Sequence, residues 1–210
     1  MYRKDRKEEY YTKKAKKEGY PARSVYKLKE IDETFGVIKE GDLVLDLGSA
    51  PGSWLSYISK KAGKVYGIDE NETEIGGDNI VFIRKDINDE SVLDMIRGLK
   101  FDSVVADLSP KTTGIRFLDS GLSLELSERA FFIAKKVLKE GGDFVCKIFE
   151  SQESSDFIKS IGPSFKMIKR FRPKAVLRKS KEFYIVAKGF KKSKLTLGDC
   201  SESSFCVKVK

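Results

Sequence analysis

Short apolar runs alternate with amphipathic segments over most of this sequence, and this alternation constrains the fold more than any other feature. The runs predicted to be strands lie at residues 42–48, 64–69, 79–86, 101–109 and 143–150. Segments with helical spacing separate them, including a helix at 122–142 that we expect to end at its paired glycines. Continuous apolar strands separated by helices indicate a mostly parallel sheet covered on both faces. Ligands of such sheets bind at the carboxyl ends of the strands.

The two ends of the chain complete the predicted fold. Residues 25–35 place apolar side chains at helical spacing, and Gly36 follows as a stop. The β-rich segments "FKMIKRFRP" and "EFYIVAKGF" lie close together and are expected to pair as antiparallel edge strands. Residues 1–20 are polar and are expected to be mobile or loosely helical, whereas residues 191–210 form a polar tail.

The net charge of +9 is concentrated in two segments. Residues 1–29 contain eleven Lys and Arg against four Asp and Glu, and residues 166–181 contain eight against none. The rest of the chain is mildly acidic. A charge run is usually a solvated face, but two basic segments beside an acidic body favour RNA or DNA as the partner.

The composition excludes several kinds of site. The chain contains no histidine, which removes histidine general bases and disfavours a zinc site. Cys146, Cys200 and Cys206 form no CxxC pair, which fits a reducing compartment. The N-terminus is too polar for a signal peptide, and no apolar run approaches the roughly 18 residues that cross a bilayer. We therefore expect a cytoplasmic monomer with no membrane partner and no metal.

The stretch "LVLDLGSAPGSW" (residues 43–54) ends an apolar strand in a glycine turn. Its D-x-G-x-x-x-G spacing matches neither the G-x-G-x-x-G of dinucleotide folds nor a P-loop, so it predicts no phosphate cradle. Asp69, Asp86 and Asp107 end the next three strands. One such aspartate is more often a turn or cap residue. Together they indicate a pocket for a nucleoside without phosphate, with S-adenosylmethionine (SAM) as the obvious candidate. Asp69 would hold the ribose, Asp86 the adenine amino group, and the glycine turn the methionine part.

Further motifs give the chain a family resemblance. Together with "DLGSAPGSW", the stretches "ARSVYKLKEID", "ADLSP", "FVCKIFE" and "KEFYIVAKGF" resemble the FtsJ/RrmJ-type ribose 2′-O-methyltransferases over residues 21–190. The resemblance implies a SAM-dependent methyltransferase Rossmann-like fold, with a seven-stranded, mostly parallel sheet, one antiparallel strand and helices on both faces. It divides the chain into a basic N-terminal arm (1–20), a methyltransferase domain (21–190) and a polar C-terminal tail (191–210). Ser53 departs from the pattern, because family members often carry a second glycine there.

The resemblance also implies roles for individual residues. The implied catalytic residues are Lys27, Asp107, Lys147 and Glu182. The implied cofactor-binding residues are Gly48, Gly52, Trp54, Asp69, Asp86 and Asp107. The alternatives without a role in the site are that Trp54 is a core residue packing on the sheet, and that Lys27 and Glu182 are surface charges.

Lys147 is the most unusual member of this set, because it lies inside an apolar strand. Lysine is almost never buried unpaired, so Lys147 either reaches solvent, forms a structural salt bridge with Asp107 or Glu182, or serves the reaction. An ordinary lysine is protonated at neutral pH, and a second lysine nearby with partial burial would lower its pKa. We expect Lys147 to deprotonate or orient the ribose 2′-hydroxyl and Asp107 to position it, while Lys27 and Glu182 tune the charge and hold the ribose.

The sequence says less about the substrate than about the type of reaction. "DLSP" offers no aromatic side chain for amino methylation of a base, and Cys146 is not at that strand end, where cytosine C5 methylation would need a nucleophile. The compact chain resembles family members that methylate a uridine in large-subunit (23S) ribosomal RNA. The alternatives are a tRNA anticodon-loop methyltransferase, a non-catalytic RNA-binding protein and an NAD-dependent oxidoreductase. The residues expected to bind RNA phosphates are Arg23, Lys166, Arg170, Arg172, Lys174 and Arg178.

Overall fold

The computed structural model describes residues 3–111 and 113–192. The helices are α1 (Arg3–Lys17), α2 (Val25–Phe35), α3 (Ser53–Ser59), α4 (Ser91–Met95), α5 (Arg116–Val137) and α6 (Gln152–Ile161). The strands are β1 (Leu43–Leu47), β2 (Lys64–Asp69), β3 (Ile80–Arg84), β4 (Phe101–Ala106), β5 (Leu138–Phe149), β6 (Phe165–Phe171) and β7 (Glu182–Phe190). No helix among these residues is long and apolar enough to cross a membrane. The expectations for most of the C-terminal tail, for Cys200 and for Cys206 fall outside the described residues.

All seven strands form one sheet in the order β3-β2-β1-β4-β5-β7-β6. β7 runs opposite to the other six strands and pairs antiparallel with both β5 and β6. The predicted pairing of the last two strands is confirmed, but only β6 is an edge strand, because β7 lies inside the sheet. The architecture confirms the predicted Rossmann-like methyltransferase fold.

The strands are buried on both faces, which is why their sequences lack polar alternation. Leu45 and Leu47 belong to a core under α4, α5 and α6, whereas Val44 belongs to a second core under α1, α2 and α3. Each fully buried side chain of this size stabilises the fold by about 1.5–3 kcal/mol relative to exposure. The two cores fix the sheet between the helices and leave its carboxyl edge to form a site.

The predicted end of α2 is confirmed. Gly36 adopts a left-handed conformation, with φ of 60°, and its N–H donates to the carbonyl of Asp32. The buried Asp32 carboxylate then accepts from the N–H of Ile38 at 2.9 Å and from the hydroxyl of Tyr57 at 2.8 Å. These bonds join α2 to α3 and fix the position of the first helix that contributes to the site.

The predicted helix at 122–142 is wrong at both ends. Helix α5 begins at Arg116 and ends at Val137, and Leu138 is already extended, with ψ of 141°. The paired glycines lie within β5, because Leu138 pairs with Phe101 at the start of β4. A Cβ on Gly142 would lie 2.9 Å from the carbonyl oxygen of Asp102, so the glycine permits close strand packing rather than ending a helix.

Two helices add to the expectations for their segments. Residues 1–20 were expected to be mobile or loosely helical, and the helical alternative is found: most of the described part forms α1, whose Ala15 is buried in the second core. Helix α6 was not predicted. Its sequence signal is a capping box, in which the Ser151 hydroxyl and the Ser154 backbone N–H are paired, and Ser154 returns a bond to the Ser151 backbone.

Candidate active site

A cavity of about 500 Å³ opens at the carboxyl edge of the sheet. Four predicted cofactor residues line it: Gly48, Asp69, Asp86 and Asp107. They come from the ends of β1, β2, β3 and β4, so the parallel sheet gathers residues that are far apart in the sequence. This is the place where the fold is expected to bind a ligand.

The glycine turn after β1 forms one wall of this cavity. Gly48 has φ of 77°, and a Cβ there would lie 2.8 Å from the side chain of Leu108. Gly52 has φ of 103°, and a Cβ there would lie 2.5 Å from both Thr73 and Ile75. Both positions therefore require glycine for conformation and for space. The Ala50 N–H donates to Asp69 Oδ2 at 2.9 Å, which ties the turn to the end of β2.

Asp69 and Asp86 both have the turn role that the sequence left open, and both line the cavity. Asp69 Oδ1 accepts from the N–H of Asn71 at 2.8 Å, and Asp86 Oδ1 accepts from the N–H of Asn88 at 2.9 Å. Each aspartate thus organises the turn that follows its strand. Because both also line the cavity, the turns hold these carboxyl groups in position for a ligand.

Gly52 and Trp54 are not among the residues that line the cavity. Trp54 is only 3% exposed, and its Nε1–H donates to the Ser24 carbonyl at 2.9 Å. Its ring packs against that of Tyr184, with centroids 5.9 Å apart. The structure gives the Trp54 side chain the core role that sequence analysis named as its alternative.

The four predicted catalytic residues lie together beside the cavity. Lys147 Nζ is 3.3 Å from Asp107 Oδ1, and Lys27 Nζ is 3.9 Å from the same oxygen. Lys27 Nζ is also 2.7 Å from Glu182 Oε1. α2 contributes Lys27, the end of β4 contributes Asp107, and the antiparallel pairing of β5 with β7 brings Lys147 and Glu182 to the same edge. We refer to these four residues as the Lys-Asp-Lys-Glu cluster.

Lys147 does not reach solvent, because its side chain is only 2% exposed. Its Nζ donates to the carbonyl of Asp107 at 3.2 Å and to the hydroxyl of Ser109. Both partners belong to the "DLSP" segment that lines the cavity. The buried Nζ of Lys147 is therefore hydrogen-bonded to groups of the site itself.

The charges of Lys27 and Asp107 stabilise one another. Burial disfavours the charged form of Lys27, but the carboxylates of Asp107 and Glu182 outweigh burial and raise its pKa. Burial likewise raises the pKa of Asp107, but Lys147, Lys27 and the Tyr184 hydroxyl outweigh burial and lower it. Lys27 is therefore a permanent cation and Asp107 a permanent carboxylate near neutral pH.

Sequence analysis missed two residues beside this cluster. Tyr184 is fully buried in β7, and its Oη donates to Asp107 Oδ1 at 2.8 Å. The sequence feature that could have identified Tyr184 is the two-residue period of a strand, which places Tyr184 on the same face as Glu182. Asp46 lies in β1, and neither carboxyl oxygen has a hydrogen-bond partner among residues 3–111 and 113–192. Burial, then the charges of Asp107 and Asp69, raise the pKa of Asp46 well above its usual value.

A third missed residue supports the loop after β3. Arg129 of α5 donates from Nε to the carbonyl of Ile87 at 2.7 Å and from Nη2 to that of Asp89 at 3.2 Å. Ile87 lines the cavity next to Asp86. No motif marks this arginine, since it acts on main-chain atoms brought near only by folding.

The predicted RNA-binding residues are dispersed. Lys166 lies at the start of β6, at the opposite edge of the sheet from the cavity, which corrects its expected place. Arg172 donates to the carbonyls of Leu177, Ser180 and Glu182, so it organises the loop that precedes β7. The edge predicted for Lys166 was wrong because the direction of a strand decides at which edge of the sheet each of its ends lies.

The other predicted RNA-binding residues contact nearby parts of the chain. Arg170 Nη2 is 3.6 Å from Glu150 Oε1, and its guanidinium covers the Phe183 ring. Arg23 Nη2 is 3.0 Å from Glu8 Oε1. The Lys174 backbone N–H donates to Glu30 Oε2 at 2.7 Å. Arg178 lies in the loop between β6 and β7. Cys146 is fully buried, as expected for a small apolar residue.

Two curated relatives cover nearly the whole chain. Ribosomal RNA large subunit methyltransferase E of Bdellovibrio bacteriovorus is 40% identical over 185 residues, covering 85% of this chain and 94% of the relative. The protein of the same name from Archaeoglobus fulgidus is 41% identical over 191 residues, covering 90% and 99%.

Solved structures share the fold at lower identity. A crystal structure from Plasmodium falciparum, named as a ribosomal RNA methyltransferase, superposes with a TM-score of 0.72 at 23% identity and covers 81% of this chain and 98% of the other. A Streptococcus mutans structure in complex with SAH, named as a methyltransferase, gives a TM-score of 0.52 at 14% identity, covering 74% and 90%. Residues 20–190 match the family described as FtsJ-like methyltransferase, and the chain belongs to that family.

Proposed function

We propose that this protein transfers a methyl group from SAM to a ribose 2′-hydroxyl of RNA, and that its target is a uridine in large-subunit ribosomal RNA. The observation that carries the proposal is the Lys-Asp-Lys-Glu cluster, which is buried at the carboxyl edge of the sheet beside a nucleoside-sized cavity. A structural salt bridge would need only one cation for one carboxylate. Here Asp107 faces two lysines, and they lie where a ligand would meet them.

The residues around the cavity fit SAM. Asp69 and Asp86 present carboxyl groups for the ribose and adenine of a nucleoside, as an acid at the end of the second strand does in related folds. The glycine turn at Gly48 leaves space for close approach of a ligand to the backbone. When bound, SAM supplies a methyl group made electrophilic by a positively charged sulfur.

The protein's own contribution is to prepare the 2′-hydroxyl. A neutral hydroxyl is a poor nucleophile, so a group that accepts or holds its proton accelerates attack. Lys27 keeps its proton because Asp107 and Glu182 raise its pKa, so it supplies charge and does not accept a proton. We assign Lys147 to receive or orient the hydroxyl proton because its Nζ lies 3.3 Å from Asp107 Oδ1 beside the cavity. Asp107 accepts a hydrogen bond from Tyr184 and is thereby fixed between the two lysines. Glu182 holds Lys27 and contributes an acceptor for the ribose.

Ribosomal RNA is the favoured substrate because curated relatives at about 40% identity are named for it. The loop between β6 and β7, residues 172–181, supports an RNA surface, since it carries five basic and no acidic residues at the same edge as the cluster. Its phosphate contacts should make RNA affinity fall steeply with salt. A cytoplasmic, monomeric protein remains our prediction.

One experiment tests both the chemistry and the substrate. Labelled SAM is incubated with large ribosomal subunits lacking the modification, with protein-free large-subunit RNA and with tRNA, and the digested nucleosides are separated by mass spectrometry. We expect 2′-O-methyluridine from the ribosomal substrates. Label on a base would contradict ribose methylation, and label mainly in tRNA would move the protein to the alternative substrate. Absence of SAM binding by calorimetry, with no transfer to any RNA, would favour a non-catalytic RNA-binding protein.

A further inference from the structure

The start of helix α5 exposes apolar side chains that its packing does not explain. Phe117 is 78% exposed, Ile115 58% and Leu118 47%. Farther along the helix, its buried face continues through Ala130 and Ile133 into the core. The first turns of α5 therefore extend beyond the core and present an apolar surface to solvent, and such surfaces mark interaction sites.

Phe117 lines a cavity of about 360 Å³ that is separate from the cavity holding Asp69 and Asp86. Its walls come from the start of α5, from the turn between β5 and α6, and from the residue before β7. The lining residues that matter here are Arg116, Phe117, Leu124, Glu150, Ser151 and Lys181.

This second cavity adjoins the Lys-Asp-Lys-Glu cluster. The Glu150 N–H donates to the Lys181 carbonyl at 3.0 Å, and Lys181 directly precedes Glu182. On the other side, the Ser127 hydroxyl of α5 donates to the carbonyl of Lys147 at 3.1 Å. The wall formed by Glu150 and Lys181 thus continues into β5 and β7, which carry Lys147 and Glu182, and helix α5, which carries Phe117, is bonded to β5 through Ser127.

The charges around this cavity favour one chemical class of ligand over another. Arg116 and Lys181 balance Glu150 and Glu153 in the lining, and Glu150 is also 3.6 Å from Arg170. A balanced, partly aromatic cavity suits a neutral flat group better than a phosphate. The adjoining loop 172–181 has five basic residues without an acid, so phosphates are favoured beside the cavity and not within it.

We propose that a nucleobase of the RNA substrate, adjacent to the nucleotide being methylated, stacks on Phe117 while its phosphates contact loop 172–181. The proposal rests on the proposed function for its RNA substrate. Stacking of bases on aromatic rings beside a positively charged groove is a common mode of single-strand recognition. A ribosomal protein docking on the same apolar residues would be a different partner, and the test below separates the two.

The test compares Phe117→Ala and Phe117→Trp with Phe132→Ala. Phe132 is the matched control, because it is an exposed phenylalanine on the same helix, 44% exposed, and does not line the cavity. For each variant, KM and kcat are measured with protein-free large-subunit RNA and with intact subunits, and SAM affinity and Tm are measured as folding controls. We expect F117A to raise KM for both substrates about tenfold with little change in SAM affinity. F117W and F132A should remain close to the unmodified protein.

A second measurement needs no methyl transfer. Trp54 is the chain's single tryptophan and is buried, so the indole introduced in F117W provides a separate, exposed fluorescence signal. Protein-free RNA should quench that signal if a base stacks on it, even if the protein modifies a different atom of RNA. Equal KM values for F117A and F132A, or absence of quenching in F117W, would overturn the proposal. A KM change confined to intact subunits would assign the surface to a protein partner and would also overturn it.

Discussion

The two edges of the sheet carry the same residue types in different arrangements. At the amino edge, Lys139 Nζ is 2.7 Å from Asp102 Oδ1, and Lys188 Nζ is 2.8 Å from Asp143 Oδ2. At the carboxyl edge, Asp107 faces two lysines at once. Lysine–aspartate pairs alone therefore do not distinguish a catalytic edge from a structural one.

The two edges differ in the other groups that contact each carboxylate. Asp102 also accepts from the Leu43 N–H at 2.8 Å, and Asp143 from the Gly189 N–H at 3.1 Å, so both hold backbone segments together. Asp107 instead has lysine and tyrosine side chains around its carboxylate and lines the larger cavity. The amino edge uses its carboxylates to join strands, whereas the carboxyl edge holds one available to a ligand.

The largest expected effect is the loss of activity in Lys147→Ala. Removing the buried Lys147 side chain should lower kcat by roughly 10²–10⁴, the usual contribution of a general acid or base, while SAM affinity changes little. Methyl incorporation under saturating RNA measures kcat, and calorimetry measures SAM binding. Lys188→Ala is the matched control, since it removes another carboxylate-paired lysine from the same sheet. Equal kcat values for the two variants would refute the catalytic assignment of Lys147.

A smaller loss is expected for Tyr184→Phe. The substitution removes the hydroxyl that donates to Asp107 and keeps the ring that packs on Trp54. A hydrogen bond to a charged group contributes about 1.5–3 kcal/mol, so kcat should fall roughly 10- to 100-fold if the bond acts in the transition state.

The pH dependence of this variant tests whether the Tyr184 hydroxyl acts through the charge of Asp107. Because the Tyr184 hydroxyl helps to lower the pKa of Asp107, its removal should raise that pKa. The acid limb of the kcat/KM profile should therefore move to higher pH. A loss of activity with an unmoved acid limb would mean that the hydroxyl does not act by lowering the pKa of Asp107.

The sequence predicted the parts of the fold that depend on local patterns. Apolar runs located the first five strands, two β-rich segments located the last two, and Gly36 located the end of α2. The start of β5 was missed because Leu138 pairs with Phe101, a contact that local spacing does not record. Glycines 141 and 142, which locally favour a helix end, serve that strand pairing instead.

The candidate site was predictable residue by residue only where motifs exist. The resemblance named Lys27, Asp107, Lys147 and Glu182, and the fold brought all four together. Tyr184 and Arg129 were missed because their partners are a carboxylate 77 positions away and main-chain carbonyls some 40 positions away. Contacts of this kind depend on the tertiary structure and leave no spacing in the sequence.

The amino edge should respond to substitution in stability and not in activity. Lys188 Nζ donates to the carbonyl of Phe35 at 2.6 Å and to that of Gly36 at 3.1 Å, in addition to pairing with Asp143. Its ammonium thus stabilises the carboxyl end of α2. Lys188→Ala leaves these acceptors without their donor, so we expect a loss of roughly 1–3 kcal/mol in the free energy of unfolding. Denaturant titration measures it, and unchanged stability would show that water replaces the ammonium.

The effect of Asp46→Asn on stability is expected to be small in acid and to depend on pH. Burial and the charges of Asp107 and Asp69 raise the pKa of Asp46 in the folded protein. The folded protein therefore keeps the Asp46 proton at pH values above about 4, where the unfolded chain has released it. That stabilisation is complete below the unfolded-state pKa and is lost as pH rises through the folded-state pKa.

Asparagine does not titrate, so the Tm of D46N relative to the unmodified protein should increase from acid to alkaline pH. A constant offset between the two would report the packing of the amide, whereas a changing offset reports ionisation of Asp46. Parallel Tm curves between pH 5 and 9 would contradict a raised pKa. An increasing difference in Tm would show that the carboxyl edge keeps Asp46 protonated, whereas the neighbouring lysines keep Asp107 ionised.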